Sequence, residues 1–303
     1  MKFKKILLPL DESQLAERTL APAISIAAGM TAEIVLFHVV VPLDIDLILP
    51  EASLTHAEEE AKRYLGAVRA RFTTAEVILT PKVVVGSGAA TAVINYAQEN
   101  DVDLIVMSSR GRSGLTRWRY GSVTARLLRQ APCPVLVIPD QPDDEPLAFR
   151  RILAPLDGSE VAAQVLPHAG ALAQALSAEL VLLRAVSLPL LPHELTATER
   201  TVEQIEAEVC DKALAYLEQV EAYLSAAHGV PVKTKAIIGS PADVIIDYAA
   251  EHNVDLIAMT SHGRSGGLLW TYGSVTEKVL LGTDRAVMVV RRKPPAYLKE
   301  HWT

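Results

Sequence analysis

The sequence predicts an α/β protein made of two doubly wound, five-stranded parallel-sheet domains in tandem. Three observations predict it. The chain repeats itself: "DLIVMSSRGRSGLTRWRYGSVTARLL" at 103–128 returns as "DLIAMTSHGRSGGLLWTYGSVTEKVL" at 255–280, and "KKILLPLDES" at 4–13 as "RRILAPLDGS" at 150–159. In each half, short runs rich in β-branched residues alternate with longer helical patterns. Segments such as "EIVLFHVVV", "DLIVM" and "PVLVI" are nearly continuous apolar runs, as expected of parallel strands with helices on both faces.

The elements of the first half follow in order. Residues 4–9 form an apolar strand that stops at Pro9 and Asp11, and 13–29 open on a serine and read as a helix. A strand at 33–40 follows, then a helix at 54–72 with charged residues between its apolar positions, then a strand at 76–85. Helix 89–99, strand 103–107, a Gly-rich loop, helix 121–130 and strand 135–138 complete the unit. The second half repeats it with strand 150–156, helix 159–176, strand 179–186, a helical stretch at 196–227 and strand 231–238. Helix 241–252, strand 255–259, helix 273–281 and strand 286–291 close it. The acidic, Pro-punctuated "DQPDDEPLA" reads as a linker, so the expected division is 1–140, linker 141–148, 149–293 and a tail at 294–303. Two apolar, Pro-broken loops, at 41–53 and 187–196, suit simple packing, the commoner role of such segments, or else cover a ligand mouth or a domain contact.

Composition narrows the functional classes. A chain of 303 residues, 50% hydrophobic and 21% charged, is globular, and each half has the size of one domain. A net charge of -7 argues against a nucleic-acid partner, which selects basic surfaces. No apolar run approaches the roughly 20 residues that span a bilayer, and the Lys-led N-terminal run is too short for export, so no membrane partner and a cytoplasmic location are expected. Cys133 and Cys210 occupy non-equivalent positions, which suits a reducing compartment and indicates neither a disulfide framework nor a zinc site.

What the repeat retains is small and polar as much as apolar: Gly111, Gly114, Gly121 and Ser122 return as Gly263, Gly266, Gly273 and Ser274. A Gly-rich loop between a strand and a helix gathers backbone amides and the positive helix end at the carboxyl edge of the sheet, where an anion is received. One helix end contributes only about 0.3–1 kcal/mol toward a negative charge, so phosphate affinity needs several amides besides. The same glycines equally suit a tight turn with positive φ, and Ser122 equally suits a helix cap. Asp11 and Asp157 end the first strands, where a doubly wound sheet binds ligands. Each is read either as an acceptor for a ribose hydroxyl or adenine amine, or as an N-cap.

These residues carry a resemblance. The spacing small-x-x-Gly-x9-Gly-Ser, with strand 1 ending in Pro-x-Asp, resembles the universal stress protein family in its tandem form, over nearly the whole chain. The resemblance implies a Rossmann-like, adenine nucleotide alpha hydrolase-like fold, a stress-response role, and ATP as cofactor with Mg2+ accompanying it. It implies a first nucleotide site at Pro9, Leu10, Asp11, Val39, Met107, Ser108, Arg110, Gly111, Gly121, Ser122 and Val123. The second would comprise Pro155, Leu156, Asp157, Ala185, Met259, Thr260, Gly263, Gly273, Ser274 and Val275. It also implies that the last strands, "PVLVIP" and "AVMVVR", pair across a pseudo-twofold, between the halves or between two chains of a homodimer. An adenine nucleotide and an unidentified protein are the expected partners.

The sequence departs from the family pattern where Ser108 and Thr260 replace the leading Gly. Either the hydroxyl replaces an amide contact or the Cβ narrows the phosphate path. Arg112, Arg117 and Arg119, with the smaller Ser108, lead to the expectation that the first half binds nucleotide more tightly. His38 aligns with Arg184 and His262 with Arg110, so packing or solvated roles are expected of the histidines. Cys133 reads as an inert buried thiol, and "RRKPP" at 291–295 as a solvated tail. A regulatory nucleotide binder is thus expected, with a nucleotide-free interaction module or a slow ATPase as alternatives. No Walker-type Lys or catalytic base stands in the loop.

Overall fold

In Lys5–Pro9 (β1), Ile6, Leu7 and Leu8 are all fully buried although successive side chains point to opposite faces. Only a strand covered by helices on both sides buries such a run. The structure, a computed structural model, describes residues 2–42, 51–111, 120–140, 148–187, 202–263 and 273–291. From β1 the first half continues through α1 (Gln14–Glu17), α2 (Leu20–Met30), β2 (Glu33–Val40), α3 (Glu51–Phe72), β3 (Leu79–Val85), α4 (Ala89–Glu99), β4 (Leu104–Ser108), α5 (Ser122–Gln130) and β5 (Val135–Ile138). The second half comprises β6 (Arg151–Pro155), α6 (Glu160–Ala163), α7 (Leu166–Leu176), β7 (Glu179–Val186), α8 (Val202–His228), β8 (Val232–Ile238), α9 (Pro241–Glu251), β9 (Leu256–Thr260), α10 (Ser274–Gly282) and β10 (Ala286–Val290).

The strands form one ten-stranded sheet in the order β3-β2-β1-β4-β5-β10-β9-β6-β7-β8. Within each half every described pairing is parallel. The halves join where β5 meets β10 antiparallel, Val137 opposite Val287 and Leu136 opposite Met288. The last strands thus pair within the chain, which is the first of the two arrangements expected. Alternate strand residues feed two cores, each running across both halves: Ile6, Leu36, Leu180 and Met288 under α2, α3, α7 and α8, and Leu7, Phe37, Leu183 and Val287 under α4, α5, α9 and α10. Strand order reverses between β1 and β4, and again between β6 and β9, the places beyond whose strand ends a doubly wound sheet holds its ligands.

The helices expected over 13–29 and 159–176 are each divided in two. Thr19 Oγ1 donates to the Ala16 carbonyl at 2.5 Å, competing with helix continuation, and Pro22 has no N–H to bond across the break. Pro22 instead stands third in the first turn of α2, where that N–H is not needed, and Pro167, second in α7, also falls in a first turn. The strand expected from 76 begins at Leu79. Residues 141–147 of the expected linker, 294–303 of the tail, 43–50 of the loop at 41–53 and 188–196 of the loop at 187–196 lie outside the described residues, and 51–53, expected as loop, belong to the first turn of α3. Among the described residues no helix is long and apolar enough to cross a membrane.

Helices α2 and α7 cross at Gly29, where an added Cβ would run into the backbone carbonyl of Ala175. Replacing a helical Gly by Ala ordinarily stabilises by about 1 kcal/mol through propensity. Here the sign should reverse: Gly29→Ala is expected to destabilise the chain by about 1–3 kcal/mol through overpacking, read as a lower denaturant midpoint. A raised midpoint would show that the helices separate freely.

Candidate functional site

Pro9 and Pro155 are the last residues of β1 and β6, and buried Leu10 and Leu156 carry the chain one step further, donating N–H to the carbonyls of Phe37 and Leu183 at 2.8 Å each. Asp11 and Asp157 are thereby delivered to the switch points. Asp11 Oδ1 accepts from Ser13 N at 3.2 Å and Oγ at 2.5 Å, and Asp157 Oδ1 from Ser159 N at 2.9 Å and Oγ at 2.6 Å. The serines, not the aspartates, cap the short helices, Ser13 Oγ accepting from Ala16 N and Ser159 Oγ from Ala162 N at 3.1 Å each. The N-cap reading of the aspartates is therefore replaced by an Asx turn that holds one carboxylate oxygen.

The second oxygen explains the first retained glycine of each loop. A Cβ on Gly111 would collide with Asp11 Oδ2, and one on Gly263 with Asp157 Oδ2. Neither glycine has positive φ. A tight turn therefore does not account for these glycines; the close approach of a carboxylate from the neighbouring strand does. Gly121 and Gly273 are also extended, at φ -68° and -67°, and occupy the N-cap positions of α5 and α10. Ser122 and Ser274 follow them as the first helical residues, exposed and not capping, with Val123 and Val275 next.

Each loop is closed at its neck in the same way. Gly121 N donates to Ser109 O at 2.9 Å and Gly273 N to Ser261 O at 2.8 Å. Thr124 Oγ1 donates to Ser108 O at 3.1 Å, and Thr276 Oγ1 to Thr260 O at 2.9 Å, tying the helix to the end of the strand. Sequence reasoning missed this buried pair, although both threonines stand in the repeated "GSVT". Ser108 Oγ donates to Arg110 O at 2.5 Å and Thr260 Oγ1 to His262 O at 2.6 Å. The hydroxyls that depart from the family pattern thus brace the loop internally.

The second crevice is a cavity of about 670 Å³ whose walls include Pro155, Leu156, Asp157, Ala185, Met259, Thr260, Gly263, Gly273, Ser274 and Val275, together with Arg184, Lys212, Ile245 and His262. In the first half Pro9, Leu10, Asp11, Val39, Met107, Ser108, Gly111, Gly121, Ser122 and Val123 hold the corresponding positions on β1, β2, β4 and the start of α5. Arg110 is placed differently from expectation. It lines a separate cavity of about 200 Å³ at the seam between the halves. Arg112, Arg117 and Arg119 lie outside the described residues.

The described walls of the two crevices differ in charge. The Arg184 guanidinium lies against Gly158, whose φ of 84° leaves no side chain in its way, and 5.1 Å from the Tyr216 ring centroid. Lys212 stands nearby, 2.7 Å from Glu208. In the first half His38 replaces Arg184, its Nδ1 2.9 Å from Leu10 O. Glu12 replaces Gly158 despite a φ of 67°, a conformation that costs a side chain about 1–2 kcal/mol. Glu17 replaces Ala163, and its Oε2 takes a 2.6 Å bond from Arg71. Burial foremost, then the negative charges of Glu17, Asp11 and Glu12, holds the Tyr64 phenol above its ordinary range. Burial also raises the equivalent Tyr216 phenol, but Arg184 opposes the rise. The two halves thus differ most at one strand position, His38 in the first and Arg184 in the second, with Glu12 in place of Gly158 beside it.

Among the described residues no group of three or more His, Cys, Asp or Glu side chains could hold a metal ion. Cys133 is buried, and burial pushes its thiol up to about 12.

A family model described as the universal stress protein family matches residues 2–139 and 148–291. Universal stress protein Rv2005c of Mycobacterium tuberculosis is 30% identical over 197 residues, 64% of this chain and 63% of its own, so less than two thirds of that relative is spanned. Universal stress protein MJ0577 of Methanocaldococcus jannaschii is 29% identical over 157 residues, 48% of this chain and 96% of its own. The crystal structure of a universal stress protein from Archaeoglobus fulgidus superposes with a TM-score of 0.72 at 22% identity, covering 97% of this chain and all of that one, a likeness of fold.

Two expectations follow. Gly263→Ala should cost about 1–3 kcal/mol in the natural background and distinctly less beside Asp157→Ala, because the collision vanishes with the carboxylate. Equal costs in a double-mutant cycle would place the constraint elsewhere. At neutral pH a thiol reagent should modify Cys210 in the folded chain and leave Cys133 untouched until denaturant is added; rapid labelling of both in mass spectra would contradict the burial argument.

Proposed function

The chain belongs to the universal stress protein family, and from that premise we propose that it binds ATP or a related adenine nucleotide in the crevice of its second half, as a regulatory protein of the stress response. The observation that carries this reading is the 670 Å³ cavity at the switch point, with Asp157 on one side, the Gly273–Ser274 helix start on another and Arg184 between β7 and α8. Apolar Leu156, Ala185, Ile245 and Met259 suit an adenine ring, and the Asp157 carboxylate suits a ribose hydroxyl or the adenine amine. Amides of the first turn of α10 lack acceptors within the helix and suit phosphate oxygens. Thr260, Gly263, Ser274 and Val275 frame that end, with Pro155, Met259 and Gly273 as its floor and neck.

The opposite ranking of the halves follows from arginines in the undescribed part of the first loop. Glu17 is paired with Arg71, but Glu12 beside the first switch point disfavours a polyanion and Arg184 at the second favours one, so the second site is the stronger in this reading. The first-half residues form the weaker site. Mg2+ would arrive on the phosphates rather than on a protein cage. We place the chain in the cytoplasm, with no reaction assigned to it. Ser108 and Thr260, whose hydroxyls are turned onto loop carbonyls, favour the second reading, a nucleotide-free interaction module joined through its sheet.

Melting with and without millimolar Mg-ATP separates the two: nucleotide should raise the melting temperature through mass action. By calorimetry Asp157→Ala should weaken ATP about tenfold or more, the scale of one hydrogen bond to a charged group, and Asp11→Ala should change the tighter affinity by less than about twofold. An unchanged melting temperature would favour the nucleotide-free module. The reverse order of the two variants would restore the first half as the principal site.

A further inference from the structure

The cavity at the seam belongs to neither crevice. Its walls come from both halves: Ser109, Arg110 and Tyr120 from the first loop, and Thr283, Asp284 and Arg285 from the turn between α10 and β10. Tyr120 crosses the seam, its hydroxyl donating to Leu280 O at 2.7 Å. Two guanidinium groups, one from each half, line this space of about 200 Å³, and the Nε atoms of Arg110 and Arg285 are buried without a hydrogen-bond acceptor. Folded proteins rarely leave buried donors unmet, and a guanidinium fork is matched by an oxyanion.

Neighbouring carboxylates, Asp140 and Asp284, line the same space and Asp284 forms an ion pair with Arg285, but neither accepts a hydrogen bond from the two Nε atoms. Asp140 accepts from Arg18 at 3.1 Å. Asp284 Oδ1 is 3.2 Å from Arg285 Nε outside hydrogen-bond geometry, on a side chain 75% exposed. The pseudo-twofold provides an internal control: by strand register Cys133 stands where Arg285 does and His262 where Arg110 does, and Arg291 NH1 spans the seam to Ala131 O at 2.9 Å. The paired guanidiniums are thus particular to one side, and the fold alone does not demand them.

We propose that the seam cavity binds a phosphate group, gripped by Arg110 from the first half and Arg285 from the second. Two sources share this chemistry. One is free inorganic phosphate; the other is the terminal phosphate of a nucleotide in the first crevice, since Arg110 directly precedes Gly111.

The test titrates the full chain with inorganic phosphate by calorimetry at constant ionic strength, with chloride as the control. Phosphate should bind, and Arg110→Gln and Arg285→Gln should each weaken it about tenfold or more, the loss of one charged hydrogen bond. Matching melting curves without phosphate would verify that both variants fold. Asp157→Ala should leave phosphate binding unchanged, which separates this site from the nucleotide reading. With Mg-ATP saturating, continued phosphate binding identifies a free anion as the occupant, and exclusion of phosphate together with weaker ATP binding in Arg285→Gln identifies a nucleotide terminus. No phosphate-specific binding by the natural chain, or Gln variants that bind phosphate as tightly as the natural chain does, overturns the proposal.

Discussion

The antiparallel pairing of β5 with β10 is the contact on which the rest of this molecule depends. Each half alone would end in an unpaired apolar strand, VLVI in the first and AVMVV in the second, an aggregation hazard in a five-stranded sheet. Joining the two ends turns two small sheets into one and lets a single core on each face continue through both halves. Helices α2 and α7 can then press together closely enough to exclude a methyl group at Gly29. The seam cavity exists only because that pairing brings the first loop beside the turn before β10.

Within each half a second constraint is local and duplicated. The carboxylate after the first strand is held by a serine two residues on, and its second oxygen lies so close to a loop glycine that a Cβ there would collide with it. Strand β1 and the loop after β4 are fixed relative to each other by that contact, as are β6 and the loop after β9. The threonine clasp and the glycine N–H at the neck then set where the following helix begins. Duplication preserved this frame and released the walls: Glu12, Glu17 and His38 on one side, Gly158, Ala163 and Arg184 on the other.

Much of this was legible in the chain because repeat and period report on burial, and burial decides element type. The continuous apolar strands, the order of elements and the pairing of the last strands could all be stated from residues and resemblance. Three features could not. Pro22 and Pro167 read as ordinary helix residues until Thr19 and its counterpart region are seen to end one helix and start another. Gly111 reads as a turn residue because its reason is a carboxylate a hundred positions away, a contact no local pattern encodes. Arg184 reads only as the counterpart of His38 and Arg110 as a residue of the first nucleotide site, whereas the first lines the second crevice and the second lines the seam cavity. Side-chain destination depends on tertiary neighbours, and spacing along the chain does not carry it.

Antiparallel joining has one more consequence. Strands of the first half run opposite to those of the second, so their carboxyl ends lie on opposite edges of the common sheet and the two crevices face away from each other. A flat partner surface can meet one mouth or the other, never both. Duplication in this chain therefore did not build one larger face; it built a two-sided body whose switch points lie on opposite edges of a single sheet.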